Sequence, residues 1–192
     1  LGAATQAGGV ILIVPESQGL GAEWESGLYG PTRDLAFFDD LMTCAQASFS
    51  VDPAHVHVAG HSAGTFFSLA LSLQRSEVLA SSSLMSAGMS VDYRAPSVKR
   101  PMFFLWGGEE DSAYDQDFNL QTTQLIDRFS MEGHPTVYCD HSTLELDPND
   151  SRHSWPDAAS FWIVDFIKAH PQGVEPSPYA EGTPEGWMGA CG

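Results

Sequence analysis

Five residues, Gly60-His61-Ser62-Ala63-Gly64, constrain this chain more than any other stretch because of what flanks them. His55 to Ala59 alternates in the manner of a strand, and Thr65 to Gln74 is a helix-like apolar run. A Gly-x-Ser-x-Gly pentapeptide set where a strand turns into a helix reads as a nucleophile elbow. So sharp a turn holds its apex in a strained backbone conformation, and small residues two positions to either side avoid clashes. The geometry lifts the Ser62 hydroxyl clear of the sheet. It also places the amide of Ala63 at a helix N-terminus, where it can stabilise a developing oxyanion.

The remainder of the chain supplies a sheet for that elbow. Val10-Ile11-Leu12-Ile13-Val14 is a continuous apolar run closed by Pro15, the pattern of a strand buried on both faces. Glu16 to Pro31 reads as a loop, rich in glycine and carrying Trp24 and Tyr29. From Thr32 to Phe49, Leu35, Phe38, Leu41, Met42 and Ala45 follow helical spacing, with Thr32 or Asp34 as the cap. Ser-rich Leu79 to Met85, then Pro101 to Trp106 and Thr136 to Cys139, are further strands. Asp117 to Glu132 and Trp155 to His170 are helices, the second with Phe161, Ile163, Val164, Phe166 and Ile167 on its apolar side. Alternation of this kind predicts an α/β fold: a mostly parallel sheet with helices on both faces. One domain is expected over 1–170, and a Pro- and Gly-rich tail over 171–192.

Charge narrows the partners. Eight Lys plus Arg against 25 Asp plus Glu give a formal net charge of −17. Such a surface repels polyanions, so nucleic acid and anionic membranes are poor candidate partners and none is expected, whereas neutral esters or glycans are compatible. Three cysteines allow a single bridge, for which Cys139 with Cys191 is the preferred pair, while Cys44 lies in an amphipathic helix and reads as a buried thiol. No CxxC or CxH spacing suggests a metal, and no cofactor is implied. The chain begins at Leu1, without a secretory leader ahead of its first strand.

A serine hydroxyl needs a base, and the base needs a carboxylate to hold its tautomer. Catalytic groups in parallel α/β sheets gather at the carboxyl ends of the strands. After the strand ending at Trp106 comes Gly107-Gly108-Glu109-Glu110-Asp111, an acid-rich turn in which Asp111 is the candidate acid and Glu109, Glu110, Asp115 and Asp117 compete with it. His153, between the last strand and the last helix, is the chosen base. His141 competes with it, whereas His55 and His57 belong to the elbow strand and His134 and His170 flank helix ends. His61, beside the nucleophile, reads as shaping the pocket. The chain order Ser62, Asp111, His153 is that of α/β-hydrolases.

From Val10 to about Ala169 the chain resembles the polyhydroxybutyrate depolymerase and feruloyl esterase group of α/β-hydrolases. The most specific stretch runs from Ser50-Val51-Asp52-Pro53 through Val56-His57-Val58 to Gly64, similar to the group's Val-Asp-Pro-x-Arg-Val-Tyr-Val-x-Gly-x-Ser-x-Gly. Val10 to Pro15 resembles its strand ending in Tyr-Pro, and Asp34 to Asp39 its Asp-Val-x-Phe-Leu helix start. Gly108-Glu109-Glu110-Asp111 resembles its acid turn, which favours Asp111, and His153-Ser154-Trp155-Pro156 matches its His-x-Trp-Pro base loop. The resemblance implies secretion and hydrolysis of esters in plant-wall phenolics, acetylated xylan or polyester. It also implies three strands ahead of Val10, and after the third a His-Gly loop bearing the other oxyanion donor. Neither is found ahead of Val10 in this sequence, so the expectation is an N-terminally truncated member: either a fragment of a longer protein whose sheet is open beside the elbow, or a chain in which the Val10 strand pairs directly with the elbow strand and one oxyanion donor is lost or replaced. The segment between Cys139 and Arg152 is longer and more acidic than the group's usual approach to its base.

Trp24 sits where the group often has a tryptophan near the cleft, and Trp155 adjoins the base loop; with His61 these are the candidate substrate contacts. Trp162 reads as core. The resulting expectation is a serine carboxylic-ester hydrolase acting on a small or polymeric ester through an acyl-enzyme. Two rivals stand beside it: a non-catalytic hydrolase remnant lacking a complete oxyanion hole, and a serine peptidase of the same fold.

Overall fold

A computed structural model describes residues 1–17, 24–25, 32–89, 92–187 and 190–191. In chain order the elements are α1 (Gly2–Gly8), α2 (Arg33–Ser48), β1 (His57–His61), α3 (Ala63–Gln74), β2 (Ser81–Met85) and β3 (Met102–Trp106). A short hairpin of β4 (Ser112–Ala113) and β5 (Gln116–Asp117) then leads into α4 (Phe118–Met131), β6 (Thr136–Asp140), α5 (Ala159–Ala169) and β7 (Ala190–Cys191). The main sheet has the order β1-β2-β3-β6-β7. Its first four strands are parallel, and β7 joins β6 antiparallel.

Strand β3 shows why helices cover both faces. Its residues are buried throughout, so each parity needs its own apolar layer. Met102, Phe104 and Trp106 pack with Leu69 and Leu73 of α3 and Leu125, Ile126 and Phe129 of α4. Phe103 and Leu105 face the other way, onto Trp162, Ile163 and Phe166 of α5. Leu35 and Phe38 of α2 close the β1 end of the molecule against Val56, Phe67 and Leu71. Helix α2 starts as read from the sequence, with the Thr32 side chain accepting the Leu35 amide. Within α5, Trp162 is buried as expected, but Phe161 is 54% exposed and stands outside the apolar stripe.

Three expectations need correction. Val10 to Val14 is not a buried strand: it pairs with no strand among the described residues, and Ile11, Leu12, Ile13 and Val14 are exposed, Val14 by 75%. Only Val10 of that run packs on the core. An apolar strand is buried by its neighbours, and β1 has β2 on one side with no described strand on the other. Second, Pro171 to Gly192 is no loose tail in its described part. Tyr179 and Trp187 pack onto Phe166 and onto Phe103 and Trp162, and a Cys139–Cys191 disulfide ties β7 to β6, the pairing favoured by the sequence. Pro and Gly there prevent long regular elements without preventing packing. Third, Cys44 is exposed and free. Most of the Glu16 to Pro31 loop, Tyr29 included, lies outside the described residues.

Candidate active site

Strand β1 ends where α3 begins, and Ser62 is the residue between them, with φ 53° and ψ −120°. No residue with a Cβ adopts that conformation cheaply, so its presence marks a site where position outweighs local comfort. Three hydrogen bonds hold its backbone: the Ser62 amide donates to the Met85 carbonyl at 3.0 Å, and the Thr65 amide and hydroxyl donate to the Ser62 carbonyl at 2.8 and 2.6 Å. Gly60 is sterically required, because a Cβ there would collide with the Gly64 carbonyl and the Ser68 hydroxyl. Gly64 is not: a Cβ there meets nothing within 4 Å, which corrects the symmetric reading of the two glycines. Ala63 is the first residue of α3, so its amide has no acceptor within the helix.

The structure brings Ser62, His153 and Asp111 into one hydrogen-bonded chain. Asp111 follows β3 and a short 3-10 turn, and is fully buried, unlike Glu109, Glu110, Asp115 and Asp117, which are exposed. Burial pushes its carboxyl up, but hydrogen bonds from His153, the Gly107 amide and Ser86 together outweigh burial and hold it below its ordinary value. An ionised Asp111 can only accept, so His153 donates from Nδ1 to Oδ1 at 2.7 Å. That tautomer leaves Nε2 with a lone pair, and the Ser62 hydroxyl donates to it at 2.7 Å. The arrangement can take a proton from Ser62 and stabilise the imidazolium that results.

Several supporting residues were not foreseen. The Phe118 ring, at the start of α4, lies against the His153 imidazole with centroids 4.3 Å apart. Gly107 lets the acid turn meet the base loop, since any Cβ there would strike the Arg152 carbonyl. Ser86, just after β2, donates to Asp111 Oδ2 at 2.7 Å. The Gly-Gly pair was a visible turn signal; Phe118 and Ser86 carried none, because both act through contacts that only the tertiary fold creates.

The three substrate candidates are committed to protein contacts. His61 donates from Nε2 to the His153 carbonyl at 2.6 Å, tying the elbow to the base loop, and burial holds its ring neutral by pushing it below the ordinary histidine value. Trp155 meets His61 edge-on at 5.9 Å and donates to Ser160. Trp24 stacks flat on Phe67 of α3 at 4.4 Å. His141 is not a rival base: it is fully buried, and neither ring nitrogen has a hydrogen-bond partner among the described residues. Among the described residues, no group of three or more His, Cys, Asp or Glu is placed to hold a metal ion.

No family model matches the chain, and no curated protein does. Solved structures do match it. The native form of a protein named pOPH is similar over 87% of this chain with TM-score 0.63 and 20% identity. A carboxylesterase from Mesorhizobium loti matches 80% of the chain with TM-score 0.56 and 16% identity, and a thermostable esterase 74% with TM-score 0.55 and 13% identity. The chain therefore shares the α/β-hydrolase fold of these proteins, a mostly parallel sheet flanked by helices. It covers 61% of pOPH, 71% of the carboxylesterase and 38% of the thermostable esterase.

Proposed function

We propose that this protein is a serine carboxylic-ester hydrolase working through an acyl-enzyme. The observation that carries the reading is the unbroken Asp111–His153–Ser62 chain ending on a serine at a left-handed elbow. Ser62 Oγ attacks the ester carbonyl as His153 Nε2 takes its proton, and the Ala63 amide faces the oxyanion at the head of α3. The imidazolium then protonates the departing alcohol. Water, deprotonated by the same nitrogen, attacks the acyl-enzyme and releases the acid, returning the proton to Ser62. Asp111 stays ionised and holds the imidazole in place.

The substrate class follows from charge and from the family resemblance together. A formal net charge of −17 disfavours anionic substrates, leaving neutral feruloyl, acetyl-xylan or polyhydroxyalkanoate esters. Trp155, half-buried and edge-on to His61 next to the nucleophile, is the aromatic side chain we assign to the wall of the substrate site. The Cys139–Cys191 disulfide supports maturation in an oxidising compartment, in keeping with secretion.

A fluorophosphonate probe tests the chemistry. Labelling at Ser62, lost in Ser62→Ala together with burst release of p-nitrophenol from short-chain esters, is the expected result; a full burst in that variant would refute the mechanism. The exposed Ile11–Val14 run, together with a β1 that has no described strand on its outer side, favours a second reading, a hydrolase remnant without turnover. Folded protein that never labels supports that one.

A further inference from the structure

Ser86 takes no part in the bond changes above, yet its position is specified on every side. It is fully buried, follows β2 directly, and has φ 45°, in the left-handed region that disfavours any residue with a Cβ. Glycine would adopt this backbone freely, so the side chain must account for the choice of serine. Its hydroxyl donates to Asp111 Oδ2 at 2.7 Å, the oxygen that His153 leaves unused, where the Gly107 amide also donates at 3.0 Å. The surrounding backbone is clamped. The Ser86 amide donates to the Leu105 carbonyl at 2.8 Å, the Ala87 amide to the Thr122 hydroxyl at 2.8 Å, and the Gly88 amide to the Thr65 hydroxyl at 3.2 Å. Four elements thus converge to hold one strained turn in a single conformation.

We infer that Ser86 is a positioning residue for the triad acid: its strained backbone aims the hydroxyl that fixes the plane of the Asp111 carboxylate and keeps Oδ1 turned toward His153. This role rests on the hydrolase reading. Two donors on Oδ2 leave the carboxylate one rotational setting, in which the Nδ1–H···Oδ1 bond is made; with Gly107 alone the group can swing about that single bond. The titratable groups facing Asp111 are His153 on the base loop, His141 after β6 and His61 at the end of β1, and none of them hydrogen-bonds to Oδ2.

Ser86→Gly and Ser86→Ala separate aim from architecture. Ser86→Gly removes the hydroxyl while relieving the strain, so its thermal midpoint should equal or exceed that of the wild type. Its kcat/KM on p-nitrophenyl butyrate should fall about tenfold, the worth of roughly one charge-assisted hydrogen bond. The acid limb of its pH–rate profile should move to lower pH, because a carboxylate no longer held with Oδ1 toward His153 stabilises the imidazolium less. Ser86→Ala should lose activity similarly, without gaining stability. Wild-type kcat/KM with an unmoved profile in Ser86→Gly overturns the proposal, and so does a lowered midpoint with an unmoved profile. If the wild type proves inactive, the hydrolase reading fails separately, and the low-field proton resonance of His153 Nδ1 decides for Ser86. Displacement of that resonance in Ser86→Gly supports the role; an unmoved resonance, or none in the wild type, overturns it.

Discussion

Acid should weaken this fold well before its carboxylates are neutralised, and His57 provides a way to measure how much. Burial on β1, reinforced by repulsion from His55 and His170, pushes its imidazole down from 6.5 to about 4. Nδ1 is hydrogen-bonded to the Ser81 hydroxyl at 2.8 Å, while Nε2 is buried without a partner, so protonation would place a charge where nothing receives it. Between those two values the unfolded chain binds the proton and the native chain does not, so stability falls as pH falls. It is fully retained above 6.5, and the loss levels off below about 4. Integrated from about pH 7.5 to about pH 4.5, the His57 contribution comes to roughly 2.5 kcal/mol. Against a total of about 5–15 kcal/mol for a domain, that is large. Urea unfolding followed by tryptophan fluorescence at both pH values, on wild type and His57→Asn, isolates it. Asparagine keeps a polar atom near the Nδ1 position for Ser81 but cannot titrate. The variant should lose about 2.5 kcal/mol less across the window, whatever its stability at neutral pH. Equal losses in the two proteins would refute the buried, neutral histidine. His61, His134, His141 and His170 are also pushed down by burial, so the wild type should lose more than His57 alone explains.

Replacing Cys139 and Cys191 together by alanine opens a loop of 52 residues, and loop-closure entropy puts the loss at about 4 kcal/mol in denaturant unfolding. Gly107→Ala should drive the Arg152 carbonyl, and the base loop with it, away from the acid turn; kcat should drop about 100-fold for a folding cost of about 1–3 kcal/mol. A variant as active as wild type would show that the base loop does not depend on this close approach. His61→Ala should lower kcat/KM by roughly tenfold through loss of the bond to the His153 carbonyl, and His61→Gln, which keeps a donor, should recover part of it.

Much of this architecture was legible in the sequence where a residue's role is set by its neighbours along the chain. The elbow could be read because strand, turn and helix are contiguous, and β3 because an unbroken apolar run needs cover on both faces. The order of Ser62, Asp111 and His153 brought the three into view together, although 91 residues separate Ser62 from His153. What escaped depends on the third dimension. Val10 to Val14 has the composition of a buried strand, but burial belongs to the assembled sheet, and the described residues offer that run no neighbour. The region after Pro171 lacks periodicity, which hid the aromatic packing of Tyr179 and Trp187. Ser86 directly follows a Ser-rich strand, and nothing local marks it from Ser81, Ser82 and Ser83.

The end of β2 sets how thermal motion reaches the triad. Met85 accepts the amide of the nucleophile, and its successor Ser86 grips the acid. Any excursion of β2 is therefore common to Ser62 and Asp111 and largely cancels in the distance between them. The base loop is anchored not to β2 but to the elbow through His61 and to the acid turn at Gly107, so its movement relative to β2 is differential and appears at the hydrogen bonds of His153. Fluctuations that leave the sheet intact therefore reach the proton relay chiefly through this one loop, and His61 is the bond that restrains it against the elbow.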